Sequence, residues 1–142
     1  MPSAPLHEDV LQFLPHRPPF VMIDSITAGA DRLGGSRFTV MADNVMVADG
    51  RLSAGGLVEN IAQTAGAATG LAAQSTGTAP ALGYIGAVKD LSIFALPLTG
   101  QTLDTEIEIV HQVMNALIVR GTVHCEGQLM ASCELKIFLQ NH

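Results

Sequence analysis

Charged residues are scarce in this sequence. Only 14% of its 142 residues are Asp, Glu, Lys or Arg, and seven basic residues face thirteen acidic ones. Nucleic-acid-binding proteins present clustered basic residues. Here the basic residues are scattered along the chain: Arg17, Arg32, Arg37, Arg51, Lys89, Arg120 and Lys136. The composition therefore argues against a nucleic-acid partner.

The residues that build disulfides and metal sites are also few. The chain contains two cysteines, Cys125 and Cys133, and no CxxC pair, so we expect two small core residues in a reduced protein. His111, His124 and Cys125 lie near one another in sequence, but no pair of them has the spacing of metal ligands on a helix. We expect no metal ion.

No segment has the composition of a membrane span or a signal peptide. The longest uncharged stretch, Asn60–Val88, is interrupted by Gly, Gln, Ser and Thr and contains Pro80, whereas a spanning helix needs about 20 consecutive apolar residues. The stretch Met1–Asp9 carries acids where a signal peptide carries bases, and it lacks an apolar segment. These features predict a cytoplasmic protein without a membrane partner.

Apolar residues, in contrast, are abundant. They make up 48% of the chain, and the mean hydropathy is +0.35. Intrinsic disorder needs low hydrophobicity and high charge, so this composition predicts a folded protein. The length of 142 residues matches one domain, 1–142. Because so few charges are available to cover the surface, we expect a large subunit interface or a tunnel for an apolar ligand.

The run from Ser53 to about Ser75 predicts a long helix. Ser53 is a suitable N-cap. Apolar residues recur at helical spacing along the run: Leu57, Ile61, Ala65 and Ala68. Its internal glycines and many alanines would destabilise an exposed helix, but they let neighbouring backbones approach closely. We therefore expect a helix that a sheet packs against on all sides.

Strand-like segments surround this helix in the sequence. They lie at Phe20–Ile26, Ser36–Ala42, Leu82–Phe94, Leu103–Met114, Leu117–Cys125 and Gln128–Leu139. The glycines and Asp31 of Gly29–Gly35 predict a hairpin turn, and Glu126-Gly127 predicts another. Glu8–Leu14 suits one or two turns of helix. The fold class is therefore α+β, with a mostly antiparallel sheet around one long helix.

Glu59 is the residue in this helix that is best suited to catalysis. A carboxylate among Ala, Gly and Leu residues is expensive to bury, and burial would suit it to general acid–base catalysis. Gln63 lies at i+4 and can hydrogen-bond to it. The helix start, Ser53–Gly56, offers unpaired backbone N–H groups that could polarise a thioester carbonyl. The alternative is that Glu59 points to solvent near the helix N-terminus, where acids are favoured.

Two segments resemble the FabZ-type 3-hydroxyacyl-acyl-carrier-protein dehydratases. LPHRPPFVMIDSI (Leu14–Ile26) is similar to the amino-terminal signature of that family, and LVENIAQTAG (Leu57–Gly66) is similar to its catalytic-helix segment. Weaker similarity runs from Tyr84 to the carboxy-terminal hairpin, so the resemblance covers nearly the whole chain. It implies a hotdog fold, in which a curved antiparallel sheet wraps a long helix, and a dimer with active sites at the subunit interface.

The resemblance further implies an enzyme that dehydrates 3-hydroxyacyl thioesters to trans-2-enoyl thioesters in fatty-acid or polyene-type biosynthesis. The substrate would be carried by acyl carrier protein or CoA. Glu59 matches the family's catalytic carboxylate, and Gln63 matches a polar residue that supports it. Ala54 and Gly55 match the helix-start residues whose amides bind the thioester carbonyl. Such a reaction needs no cofactor, because the thioester already acidifies C2.

One feature of that family is missing. Its catalytic histidine lies in a Gly-His-Phe-Pro loop just before the helix, whereas Asn44–Ser53 contains neither histidine nor proline. In one interpretation His16 replaces it as the base; the alternative for His16 is a structural turn residue. In a second, the chain is a weakened or non-catalytic hotdog subunit that binds acyl chains or pairs with an active dehydratase. In a third, Glu59 alone activates water in an acyl thioesterase.

Carrier-protein docking depends on charge, because acyl carrier proteins are acidic and usually meet a positive patch. Near the turn where the family places basic residues, this chain has Ile93–Leu96, and Lys89 is the nearest base. The alternative is a patch that Arg17, Arg51 and Arg120 form in the assembled protein. The assembly we expect is a hotdog homodimer or higher oligomer, or a hetero-oligomer with another hotdog subunit.

Overall fold

A long helix packed against an antiparallel sheet dominates the computed structural model, which describes residues 7–30, 32–77 and 82–140. The helix is α1 (Ala54–Ser75). The strands are β1 (Ser25–Ala30), β2 (Leu33–Thr39), β3 (Val47–Ala48), β4 (Arg51–Leu52), β5 (Leu82–Ile93), β6 (Thr102–Val113), β7 (Ala116–Cys125) and β8 (Gln128–Gln140). Six of them form one sheet in the order β1-β2-β6-β7-β8-β5, and β3 pairs with β4 in a separate hairpin.

The helix forms where the sequence predicts it. The Ser53 side chain accepts a hydrogen bond from the Gly56 N–H at 3.1 Å, which satisfies one of the first free donors of α1. Leu57, Ile61 and Ala65 are fully buried against the sheet. The predicted helix and its apolar stripe are confirmed.

The N-terminal segment crosses α1 at Gly70. It contains one 3₁₀ turn, Val10–Gln12, which is shorter than the helix predicted over Glu8–Leu14. A Cβ atom at Gly70 would strike the carbonyl oxygen of Phe13, so only glycine lets the two backbones approach this closely. Phe13 belongs to a second buried cluster that packs on the far end of α1.

The strand predicted over Phe20–Ile26 begins only at Ser25. The backbone of Met22 bonds to side chains of α1 instead of to a neighbouring strand. Its N–H donates to Gln63 Oε1 at 2.6 Å, and its carbonyl accepts from Asn60 Nδ2 at 2.8 Å. Polar helix side chains therefore replace a strand partner here, which the local alternation of residues could not reveal.

The glycines of the first hairpin lie in strands and not in the turn. A Cβ at Gly34 would lie 2.9 Å from the Cβ of Ala68, and one at Gly29 would lie 2.6 Å from Leu71 Cδ2. These glycines therefore bring β1 and β2 close to α1. The prediction that they form the turn is wrong, and Asp31 lies outside the described residues.

The stretch before α1 forms the β3–β4 hairpin, which is not among the predicted strands. Asp49 and Gly50 form its turn with φ values of 54° and 75°. Asp-Gly is a strong signal for a two-residue hairpin turn, so the signal was present. This hairpin lies within Asn44–Ser53, the stretch that the resemblance matches to the histidine loop of the FabZ-type family.

The four C-terminal strands lie within one residue of their predicted bounds, whereas β2 begins and ends three residues before the strand predicted over Ser36–Ala42. Glu126 and Gly127 form the β7–β8 turn with positive φ values of 52° and 80°. Cys125 and Cys133 are free and buried, as expected. Burial raises the pKa of the Cys133 thiol to about 11. Within the described ranges, no helix is both long enough and apolar enough to cross a membrane.

One face of α1 is not packed tightly against the chain's own sheet. Glu59, Ala62, Gly66 and Thr69 are only half-buried, so the prediction of packing on all sides is wrong for the chain by itself. These residues are spaced three or four apart and share one helical face. This face forms the floor of the pocket described below.

Candidate active site

Glu59 lies in the second turn of α1 and is half-buried. Gln63, one turn further along, donates from Nε2 to Glu59 Oε2 at 2.9 Å. The predicted i+4 contact therefore exists, and Glu59 does not simply point into solvent. This contact holds the carboxylate in one orientation.

Gln63 is itself held by three hydrogen bonds. It is 1% exposed, and its Nε2 also donates to the Phe20 carbonyl at 2.9 Å while its Oε1 accepts from the Met22 N–H at 2.6 Å. A backbone carbonyl can only accept and a backbone N–H can only donate. These two backbone groups therefore determine which end of the Gln63 amide faces Glu59, so Nε2 must point toward the carboxylate.

A buried polar network on the neighbouring residues Asn60 and Thr64 connects α1 to the sheet. Asn60 Oδ1 accepts from Thr105 Oγ1 on β6 at 2.5 Å, and Thr64 Oγ1 lies 2.6 Å from Ser36 Oγ on β2. Thr64 Oγ1 also donates to the Asn60 carbonyl at 2.7 Å. The second turn of α1 is therefore tied to two strands and, through Met22, to the N-terminal segment.

His16 lies on the N-terminal segment and lines the same pocket as Glu59. Its Nδ1 is buried, and no hydrogen-bond partner for it lies among the described residues. The neighbouring Arg17 donates from one guanidinium nitrogen to the carbonyls of Leu14 and His16 at 2.8 and 2.7 Å. Arg17 therefore stabilises the turn that carries the imidazole.

The pocket lies between α1, the segment that carries His16, and the β5 side of the sheet. Free space inside it amounts to about 530 Å³, including the solvent at its mouth. Apart from Glu59, His16 and a few hydroxyl groups, its wall is apolar or small. The lining residues are Pro15, His16, Glu59, Ala62, Ala65, Gly66, Thr69, Gly83, Tyr84, Ile85, Leu117, Ile137 and Leu139. The site thus combines an acid and an imidazole with space for an apolar group.

Ala54 and Gly55 form the exposed first turn of α1 and lie outside the residues that line this pocket. The first N–H groups of any helix have no acceptor within it. Met46 packs against this turn, since a Cβ at Gly55 would lie 3.0 Å from Met46 Cε. The structure therefore separates the helix start from the Glu59 pocket by about one turn.

The three arginines considered for carrier docking each have a local partner. Arg51 donates to the Leu96 carbonyl at 3.0 Å, and Arg120 lies 3.9 Å from Glu134 on the neighbouring strand. Arg17 bonds to the backbone of its own turn. The described residues also include no group of three His, Cys, Asp or Glu side chains that could hold a metal ion.

The family model of the ApeP-like dehydratases matches residues 8–142. The chain belongs to the ApeP-like dehydratase family. The resemblance to hotdog-fold dehydratases is therefore confirmed at the level of the family. A comparison with curated protein sequences finds no match.

Solved structures place this ApeP-like chain in the hotdog fold. The dehydratase heterocomplex ApeI:P from Xenorhabdus doucetiae matches with a TM-score of 0.86 and 22% identity, over 98% of this chain and 93% of that one. A hypothetical thioesterase with coenzyme A from Streptococcus pneumoniae matches at 0.64 and 15% identity, over 83% and 86%. The acetyl-CoA-bound protein smu.793 from Streptococcus mutans matches at 0.66 and 19%, over 90% and 96%.

The site of this ApeP-like chain includes residues that the sequence analysis did not single out. Asn60 was missed, although an amide next to Glu59 in an apolar helix, three residues before Gln63, was a usable signal. Gly83 and Ile85 on β5 were also missed as pocket residues. Nothing local marks them, because only the pairing of β5 with β8 brings them to the helix.

Proposed function

We propose that this ApeP-like chain dehydrates 3-hydroxyacyl thioesters to trans-2-enoyl thioesters, with Glu59 as the proton donor. The observation that carries the proposal is the Glu59 carboxylate, which buried Gln63 orients at an apolar pocket that His16 also lines. Dehydration of an acyl chain needs an acid, a base and an apolar binding space. These groups meet that need without a metal or redox group.

In the proposed reaction, His16 removes a proton from C2 of the substrate, and Glu59 gives its proton to the hydroxyl group on C3. The C3–O bond breaks and water leaves, while the electron pair of the C2–H bond forms the C2–C3 double bond. Proton exchange with solvent then restores both side chains. No electrons enter or leave the substrate, so the step needs no oxidant or reductant.

The amides of Ala54 and Gly55 are proposed to bind the thioester carbonyl. Their position at the positive end of α1 would stabilise negative charge on that oxygen when C2 loses its proton. They precede Glu59 by about one turn of helix, or roughly 5–8 Å along the axis. A thioester at the helix start could therefore extend its acyl chain past Glu59 into the pocket.

An assay on 3-hydroxyacyl thioesters of acyl carrier protein and of CoA tests this proposal. We expect Glu59→Gln to lower turnover at least about 100-fold, which is the typical contribution of a general acid. His16→Ala should lower it by a similar factor. Glu108→Gln is the matched control, because Glu108 is exposed on β6 and does not line this pocket. Equal turnover in Glu59→Gln and the unmodified chain would contradict the proposal.

A second candidate is a subunit of a hetero-oligomer with another hotdog protein. Two observations favour it: the β3–β4 hairpin stands where the FabZ-type family has its histidine loop, and the edge strand β5 exposes apolar side chains. Tyr84 is 52% exposed, Val88 42% and Leu91 41%. An exposed apolar edge strand is suited to pairing with another sheet. In this candidate the partner would supply the base opposite Glu59.

Light scattering and activity measurements distinguish the two candidates. If the purified chain forms a homo-oligomer that turns over substrate by itself, the hetero-oligomer is excluded. If turnover appears only after co-purification with a second hotdog subunit and still depends on Glu59, the chain supplies the acid of a shared site. The structural match to a heterocomplex is a reason to test co-purification with a second hotdog subunit first.

The carrier and the pathway belong to the same proposal. We propose an acyl group on acyl carrier protein or CoA, in a cytoplasmic fatty-acid or polyene-type biosynthesis. The same reaction mixtures report on the thioesterase alternative, because hydrolysis releases a free thiol whereas dehydration does not. Thiol release without enoyl product would favour Glu59 as the base for water.

A further inference from the structure

We propose that Gly66 determines which acyl chains the pocket accepts, because its missing side chain keeps the pocket open beyond Glu59. The inference rests on the proposed acyl-thioester function. On the pocket side, α1 presents Glu59, Ala62, Gly66 and Thr69 in one line. Gly66 is the third of these positions. The space around it differs from the space around other glycines of α1.

Other glycines of α1 are required by packing. A Cβ at Gly56 would lie 2.5 Å from Leu52 Cδ1, and one at Gly70 would strike the backbone of Phe13. At Gly66 the nearest atom to a Cβ is Leu14 Cδ2 at 3.4 Å, which is ordinary van der Waals contact. The fold therefore has room for alanine at Gly66.

Glycine within a helix is less favourable than alanine, because it loses more backbone freedom on folding. The chain thus carries a helix-weakening residue at a position where neither a turn nor packing within the described chain requires it. This position lines the pocket. The empty space at Gly66 is best explained by a ligand that fills it.

The location of Gly66 predicts which ligands would sense a side chain there. Gly66 lies about two turns beyond Glu59, or roughly 10 Å along the helix axis. A chain whose reacting carbons lie at Glu59 reaches Gly66 only when it is several carbons long. A methyl group at Gly66 should therefore weaken the binding of long acyl chains and leave short ones unaffected.

Calorimetric titration with butyl and dodecyl thioethers of pantetheine tests this inference, because these probes bind but cannot react. The variants are Gly66→Ala, which the fold accommodates, and Gly66→Val, which adds a larger obstruction. Ala72→Val is the matched control, since it places the same β-branched side chain on an exposed part of α1. Thermal unfolding of each variant shows that the helix is intact.

We expect Gly66→Ala to bind the dodecyl probe about tenfold more weakly than the unmodified chain, and Gly66→Val more weakly still, as for one obstructing methyl group in an apolar pocket. Binding of the butyl probe should change less than about twofold, and Ala72→Val should bind both probes normally. Equal losses for both probes, unchanged dodecyl binding in Gly66→Ala, or no binding by the unmodified chain would overturn the inference.

These binding data are independent of catalysis. If the chain-length effect appears but Glu59→Gln retains full turnover, the dehydration mechanism fails while the role of Gly66 stands. If Glu59→Gln loses turnover but Gly66→Ala binds the dodecyl probe normally, the mechanism stands and the role of Gly66 fails. The two proposals can therefore be separated.

Discussion

Gln63 is the residue that connects the chemistry of the site to the fold. Its amide bonds to the Glu59 carboxylate and to the backbone of Phe20 and Met22. It is thus both a support for the proposed acid and a structural link between α1 and the N-terminal segment. A substitution at Gln63 should affect stability as well as turnover.

Gln63→Leu should lower the free energy of unfolding by about 1–3 kcal/mol for each buried backbone group that loses its partner. The buried group is the Met22 N–H, whereas the Phe20 carbonyl is only partly buried and should add less. Urea unfolding of the purified variant measures the loss. Gln74→Leu on the exposed end of the same helix is the control, because it loses only an exposed hydrogen bond to Gln12 and should change stability by less than about 0.5 kcal/mol. Similar values for the two variants would show that Gln63 does not anchor the segment.

Because of Cys133, the free energy of unfolding should depend on pH in the alkaline range. Burial raises the pKa of its thiol from 9.0 to about 11, so the unfolded chain loses this proton at lower pH than the folded chain. The folded state therefore binds more protons in this range, and the free energy of unfolding falls as the pH rises from 9.0 to about 11. Burial also raises the pKa of the Cys125 thiol, which acts in the same direction.

The free energy of unfolding, measured across the range from below 9.0 to about 11, tests this expectation, because the range spans the pKa of the free thiol and that of the folded one. Cys133→Ala should show a shallower decline than the unmodified chain, whatever its absolute stability. Identical slopes in both proteins would mean that the Cys133 thiol ionises alike in the folded and unfolded states.

At the scale of elements, α1 organises both the fold and the site. One stripe of the helix packs on the sheet, one glycine lets the N-terminal segment cross, and the half-buried face lines the pocket. The small residues of the helix therefore have different roles. Some allow close packing, whereas Gly66 leaves space in the pocket.

The same substitution at two positions of α1 should have opposite effects on stability. Gly70→Ala should lower the free energy of unfolding by about 1–3 kcal/mol, because its Cβ would strike the Phe13 carbonyl. Gly66→Ala should raise it by about 1 kcal/mol through helix propensity. Denaturant unfolding of the two variants side by side measures both. A destabilised Gly66→Ala would show that glycine is needed there for packing.

The sequence predicts the elements whose signals are local. The helix from Ser53 and the Glu126-Gly127 hairpin are confirmed because capping, periodicity and turn chemistry act over a few residues. The stretch before Ser25 was wrongly predicted as strand, because the backbone of Phe20 and Met22 bonds to Asn60 and Gln63, which lie far away in the chain. The β3–β4 hairpin was missed even though its Asp49-Gly50 turn carries a local signal.

At the scale of the whole molecule, the many apolar residues lie in three places. Many of them form the core between α1 and the sheet, and others line the pocket beside Glu59. A third part remains exposed on the β5 edge, where Phe94 is 61% exposed. The proposed subunit interface would cover this last part.

The site could be predicted only in part. Glu59 and Gln63 share one helix, so their contact follows from the i+4 spacing. His16 was chosen from its motif, and its place at the pocket depends on how the N-terminal segment crosses α1. The far wall, with Tyr84 and Leu139, depends on the β5–β8 pairing. Contacts between distant segments are set by tertiary packing, which a single sequence does not display.

The most direct test of the account is turnover of a 3-hydroxyacyl carrier-protein thioester by the unmodified chain and by Glu59→Gln, each alone and with any hotdog subunit that co-purifies. Mass spectrometry of the carrier reports loss of water from the acyl group. We expect enoyl product with Glu59 present and at least about 100-fold less with Glu59→Gln. Enoyl product at equal rates with both proteins would contradict it.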